Sequence, residues 1–130
     1  MKKLYFLDTG LRNVIQRDFN EIEFRADNGA FFENSVMLEL CRNRPANAEL
    51  LYYRVSGGVE VDFVVAAPKK RMAFECKFKT LDKTISVAGL NNFCEEENIG
   101  EKYIINKNFN RFENGTRFLQ GFLTGKAALT

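Results

Sequence analysis

The 130-residue sequence contains no histidine, no tryptophan and only three cysteines. Without histidine, Ser-His-Asp hydrolases, Cys/His zinc sites and histidine-dependent nuclease chemistry are excluded, so any catalysis has to run on carboxylates, lysine or a hard metal ion. Cys41, Cys76 and Cys94 are odd in number and widely spaced, which fits neither a disulfide framework nor a paired-cysteine metal site; reduced, mostly buried thiols are expected. No apolar run approaches the roughly 20 residues of a bilayer-spanning helix, and the N-terminus lacks the apolar region of a signal peptide, so a cytoplasmic chain is expected. A net charge of +2 is too small to indicate nucleic-acid binding, which depends on several local Lys or Arg contacts to phosphate.

What is present suits one core. The composition is 45% hydrophobic with 13 phenylalanines, and its 28% of charged residues argues against disorder, so residues 1–130 are expected to form a single α/β domain. Lys3–Leu7 reads as a short aromatic strand, followed by Asp8-Thr9-Gly10 turn chemistry that also suits a helix cap, with a helical turn at most over Leu11–Gln16. Because this strand begins so close to Met1, with no partner element before it, the chain is expected to be a piece of a longer protein. A helix is predicted from Asp27 or Asn28 to about Asn43, where Pro45 stops it, with Phe32, Val36 and Leu40 as its apolar stripe and Met37 and Cys41 on the flank. Glu33 edges that core.

Leu50–Val55, Val59–Ala67 and Arg71–Phe78 read as three sequential antiparallel strands, turned at Ser56-Gly57-Gly58 and at Pro68-Lys69-Lys70. Ile85–Glu97 carries Val87, Leu90, Phe93 and Cys94 at helical spacing, with Gly89 as a weak point. Lys102–Asn106 is another strand, and Arg117–Leu129 a final strand or helix.

Four charges inside the meander need a reason. Alternation along a strand puts Glu60, Asp62 and Val64 on one face and Val61, Phe63 and Val65 on the other, and sets Glu75 and Lys77 opposite Phe74, Cys76 and Phe78. A hairpin centred on Pro68-Lys69 would bring Asp62 next to Glu75. Two carboxylates that close raise one pKa unless a cation lies between them. Mg²⁺ or Mn²⁺, taking one or two carboxylates with waters and substrate phosphate, would meet that need. Asp62 and Glu75 are the expected ligands, the Cys76 backbone carbonyl a further oxygen, and Glu33 a ligand directly or through water. Lys77 would assist a metal-bound water or stabilise developing charge. Glu33 could instead pair with Arg54 or Lys77, and Lys77 could serve only as an ion-pair partner.

GAFFENSVMLEL, YYRVSGGVEVDFVV and AFECK together resemble the PD-(D/E)xK nuclease superfamily. More narrowly, with KLYFLDTGLRN at the start, the chain is similar to the nuclease-like DUF4143-type domain found after AAA-type ATPase domains, over Lys3 to about Asn106. The resemblance implies a restriction-endonuclease-like core, in which a central mixed sheet with an antiparallel meander is flanked by helices in the order αβββαβ. It assigns Glu33 as the helical acid, Asp62 as the strand acid and Glu75 with Lys77 as the ExK pair. Val61 stands where the superfamily's name has proline. The chain itself carries no GxxxxGK[ST] phosphate loop, so an ATPase would have to be an upstream partner.

Arg54, Lys69, Lys70 and Lys79 are candidate nucleic-acid contacts, alongside Arg71 and Lys83, although basic turns are commonly just solvated. Two function classes follow: a metal-dependent DNA nuclease domain, or a catalytically silent module that docks nucleic acid or regulates an attached ATPase. Unpaired strand edges would also permit self-association.

Overall fold

The fold is that of a computed structural model in which residues 3–54 and 59–129 are described; the expected turn Ser56-Gly57-Gly58 lies outside them, as does Val55. Asp8 starts the first helix, α1 (Thr9–Gln16), its Oδ1 accepting the N–H groups of Gly10 at 2.8 Å and Leu11 at 3.1 Å. The segment foreseen as one turn at most therefore completes two. Lys3–Leu7, read from its sequence as a strand, joins no sheet. The buried carboxamide of Asn34 accepts the Phe6 N–H and donates to the Phe6 carbonyl, each at 2.8 Å, and so takes the donor and acceptor that a neighbouring strand would have used.

The long helix α2 (Asn28–Asn43) matches its predicted span and buries Phe32, Val36, Met37, Leu38 and Leu40. Asp27 stands at its N-cap position but does not cap it. Its carboxylate instead takes Arg12 Nη1 at 2.5 Å and Arg25 Nε at 2.9 Å. Arg25 also donates from Nη1 to Asn13 Oδ1 (2.7 Å) and the Asp18 carbonyl (2.9 Å). This arginine knot ties α1 and the loop after it to the start of α2. Arg44, extended before Pro45, ends the helix as the pre-proline restriction requires.

Strands β1 (Glu49–Arg54), β2 (Glu60–Ala67) and β3 (Lys70–Cys76) form the expected antiparallel meander. The chain then crosses through α3 (Ala88–Glu96) to β4 (Glu101–Asn106), which lies parallel to β3. A hairpin follows, β5 (Arg111–Glu113) and β6 (Thr116–Gln120), turned at Asn114 and Gly115 with positive φ at both; β6 runs parallel to β4. The sheet order is β1-β2-β3-β4-β6-β5. Helix α2 covers one face over Phe63, Val65, Met72, Phe74, Tyr103 and Ile105, and the C-terminal α4 (Thr124–Leu129) packs against α2. Helix α3 covers the other over Val61, Val64, Ala73, Ile104 and Phe118. The result is a six-stranded mixed α/β sheet with helices on both faces. Among the described residues no helix is long and apolar enough to cross a membrane.

Several expected boundaries move. β3 stops at Cys76, leaving Lys77 and Phe78 beyond the strand, although the Lys77 N–H still reaches the Ile105 carbonyl at 2.8 Å. α3 begins at Ala88 rather than Ile85, which puts Gly89 in its first turn, where a glycine weakens a helix little. The stretch 117–129 is a strand and a helix in succession. Between them Gly121 is required, because a Cβ there would lie 2.7 Å from Phe32 Cε2.

One departure concerns the site directly. Leu51 pairs with Val64 but Tyr53 pairs with Val61, so Tyr52 faces both Asp62 and Phe63. This extra residue is a β-bulge. It breaks the alternation expected along β2: Val61 and Val64 go to the α3 side, whereas Phe63 and Val65 go to the α2 side. Asp62 sits in the bulge and shares its surroundings with Glu33 of α2.

Candidate carboxylate site

Asp62 enters the site from the start of β2 and Glu75 from the end of β3. The β2–β3 register runs as far as Phe63 opposite Phe74, and the next residues, Asp62 and Glu75, line one pocket, where the Glu75 charge acts on Asp62. Asp62 Oδ2 accepts the Cys76 N–H at 2.8 Å, so the Cys76 backbone touches the site through its nitrogen. Burial, then the Glu75 charge, pushes the Asp62 carboxyl up to about 7 against the pull of that N–H. Glu75 is also buried; its Oε1 pairs with Lys77 Nζ at 2.7 Å, while its buried Oε2 has no hydrogen-bond partner. Burial also raises the Cys76 thiol pKa, with the neighbouring carboxylates adding to it, so the thiol stays protonated and is no thiolate ligand.

Glu33 faces the same pocket from α2, but its partner is neither Arg54 nor Lys77. Its Oε1 accepts the Tyr5 hydroxyl at 2.5 Å and Lys3 Nζ at 2.8 Å. The Lys3 ammonium also pairs with Glu60, comes within 3.6 Å of Asp62 Oδ1, and lies 4.6 Å from the centre of the Tyr52 ring. Burial alone would lower the Lys3 pKa; hydrogen bonds to Glu33 and Glu60 override it and raise it. Lys3 and Tyr5 are the site residues that sequence reasoning missed. The available signal was their spacing, since residues i and i+2 of an extended segment share a side, and in KLYFL those two carry the polar tips.

The pocket these groups enclose measures about 410 Å³. Four carboxylates, Glu33, Glu60, Asp62 and Glu75, meet two ammonium groups there, Lys3 and Lys77. With every carboxylate ionised, these six groups sum to −2, part of which Arg54 offsets from its place opposite Glu60. Among the described residues no three His, Cys, Asp or Glu side chains are arranged as a cage for a metal ion. Two carboxylates with an open rim are nevertheless what Mg²⁺ commonly takes from a protein, water supplying the rest of its shell. The unpartnered Glu75 Oε2 fits that demand.

Of the candidate phosphate contacts, exposed Arg54 ends β1 opposite Glu60, and exposed Lys79 follows Lys77; both lie at the site's end of the sheet. Lys69 and Lys70 do not. They turn the chain at the other end of the β2–β3 hairpin, five strand residues or about 17 Å from Glu75, and Lys70 pairs with Glu101 at 3.0 Å. Arg71 is likewise engaged, with the Glu97 carbonyl at 3.2 Å.

The raised Asp62 pKa has a stability consequence. The folded chain holds this proton more tightly than the unfolded one, whose ordinary value is 3.8, so the contribution is complete below about pH 4 and is lost as pH rises through about 7. In chelator-containing buffers, stability is expected to fall as pH rises from about 5 and to level off once it has passed about 7. Thermal melts of the wild type and Asp62→Asn check this, the variant giving the flatter profile. A wild-type stability that climbs over the same range relative to the variant would show Asp62 ionised against Lys3 instead.

No curated protein and no solved structure matches the chain. A family model described as a domain of unknown function, DUF4143, matches residues 28–121, from the start of α2 to the residue after β6, and on that match the chain belongs to the DUF4143 family.

Proposed function

We propose that the chain is a PD-(D/E)xK-type domain with a restriction-endonuclease-like core that hydrolyses nucleic-acid phosphodiester bonds, DNA above all, with Mg²⁺ or Mn²⁺. The observation that carries this reading is the meeting of Glu33, Asp62, Glu75 and Lys77 in one pocket from α2, β2, β3 and the residue just beyond β3. The element order α2-β1-β2-β3-α3-β4, which is the αβββαβ order the sequence resemblance implied, supports it. Asp62 and Glu75 would hold the ion, with the Cys76 carbonyl and, through water, Glu33 completing the protein's share. A bound divalent ion supplies Lewis-acid polarisation of a phosphoryl oxygen and lowers the pKa of a water molecule. Lys77, oriented by Glu75, places a positive charge at the rim where a phosphate would gain negative charge. Arg54 and Lys79 would steady the nucleic-acid backbone next to it, and Lys69 and Lys70 only a more distant phosphate. An upstream AAA-type ATPase belongs to this reading as a partner.

A second reading, a catalytically silent module serving nucleic-acid docking or an ATPase, is favoured by one observation: Lys3 already neutralises part of the cluster. Titration calorimetry with Mg²⁺ and Mn²⁺ on the wild type and Asp62→Ala separates the two. Saturable binding that Asp62→Ala abolishes is expected, together with metal-dependent cleavage of linear, circular or single-stranded DNA that Lys77→Ala loses. Heat of binding absent from both proteins would leave the silent module standing.

A further inference from the structure

The Lys3 side chain comes from a segment outside the sheet, yet it reaches carboxylates on both α2 and β2. Of the two Asp62 oxygens, Oδ2 is engaged by the Cys76 N–H at 2.8 Å, and Oδ1 is the one that faces Lys3 at 3.6 Å. A cation approaching Asp62 Oδ1 therefore meets the Lys3 ammonium. We propose that Lys3 is a built-in competitor for this site, a tethered monovalent charge that occupies the cluster until a divalent cation displaces it. The inference rests on the reading of Asp62 and Glu75 as cation ligands.

The chemistry suits a displaceable plug. An ammonium on a flexible four-carbon stem satisfies several carboxylates without fixed geometry, and it can swing to water without unfolding anything. The backbone behind it stays fastened, because the Asn34 carboxamide grips Phe6 and the Tyr5 hydroxyl stays on Glu33. Lys3 is thus held at high local concentration but released side chain first. Mass action then sets the effect: the apparent dissociation constant for the cation is the intrinsic one divided by the fraction of molecules in which Lys3 has left. The open Glu75 oxygen gives a divalent ion its advantage: Lys3 pairs with Glu33, Glu60 and Asp62 and Lys77 holds Glu75 Oε1, while Glu75 Oε2 is left without a partner.

Mn²⁺ titration calorimetry on the full chain tests this directly. Lys3→Met, which keeps an apolar stem and removes the charge, is expected to tighten Mn²⁺ binding about tenfold or more, as full occupancy by Lys3 requires. Lys3→Arg is expected to bind no tighter than wild type. A second measurement uses the unaltered protein: acetic anhydride labelling mapped by mass spectrometry, with exposed Lys126 as internal control. Mn²⁺ is expected to raise Lys3 acetylation severalfold, half-maximally at the calorimetric dissociation constant, and to leave Lys126 unchanged. Wild-type binding that Lys3→Met alters by less than twofold, or Lys3 labelling that stays flat through saturation, overturns the competition while the cation site stands. If neither the wild type nor Lys3→Met binds Mn²⁺, the cation reading falls and this inference falls with it.

Discussion

Replacing Glu75 with glutamine is expected to lower the proposed magnesium-dependent DNA cleavage by about a thousandfold, a loss in the range typical of removing a group that acts at the reacting centre. The substitution keeps the side chain's shape and removes its charge. It replaces a proposed carboxylate ligand with a neutral amide, a weaker donor to the cation, and at the same time removes the charge that holds the Lys77 ammonium, 2.7 Å from Glu75 Oε1. Stability should move the other way. Glu75 is the neighbour whose charge helps raise the Asp62 pKa, and its own Oε2 is buried without a partner, so the neutral side chain relieves a repulsion and a desolvated charge. At pH 7.5 without metal, the melting temperature of Glu75→Gln is expected to equal or exceed that of the wild type. Opposite signs in the two assays distinguish a lost site from a lost fold; cleavage within tenfold of wild type would remove Glu75 from the chemistry.

Phe74→Ala should have the largest effect on folding. Phe74 is fully buried in β3, and its ring stacks on Tyr103 at 4.7 Å and 11° between planes. Removing it deletes the ring contacts and leaves a cavity between the sheet and α2, for about 3–5 kcal/mol, a large share of the 5–15 kcal/mol typical of a whole domain. Urea unfolding monitored by circular dichroism gives the number. Phe112 provides the contrast: it lies largely exposed on the edge strand β5, and Phe112→Ala is expected to stay within about 0.5 kcal/mol. Because Glu75 is the next residue along β3, cation binding in Phe74→Ala should weaken in step with the fold.

The parts of the fold written in local pattern were legible. The helix over 28–43 announced itself by its 3- and 4-residue apolar spacing, and the meander by alternation between turn residues. The N-terminal segment misled because its partner is a side chain, Asn34, rather than a strand. The bulge at Asp62 was invisible because alternation presumes an unbroken ladder, and the residue that breaks it is identified only by its partner Tyr52. The β5–β6 hairpin did carry a signal, Asn114-Gly115, a pair that suits positive φ, but its first strand is only three residues long.

Within the site, Asp62, Glu75 and Lys77 were legible because strand alternation, hairpin register and a family-like spacing point to them together, and Glu33 because the family-like spacing does. Lys3 and Tyr5 were not, since their role depends on where a distant segment comes to rest. Lys69 and Lys70 were placed too near the site for a geometric reason: the hairpin that brings Asp62 to Glu75 carries its own turn to the opposite end of the sheet.

The turn at Pro68 and Lys69 also bears on the order of folding. Contacts close in sequence have the least loop entropy to overcome, so the β2–β3 hairpin has a head start over the pairing of β3 with β4, which waits for the α3 crossover. Asp62 and Glu75 are therefore brought face to face by one of the most local pairings in the chain, while Lys3 arrives from far upstream. For that interval two carboxylates approach without their covering lysine, and a proton or a dissolved cation is the partner at hand. On the proposed cation reading, the acidity and metal content of the medium would thus enter the kinetics by which the chain reaches its native state, as well as the chemistry of the finished site.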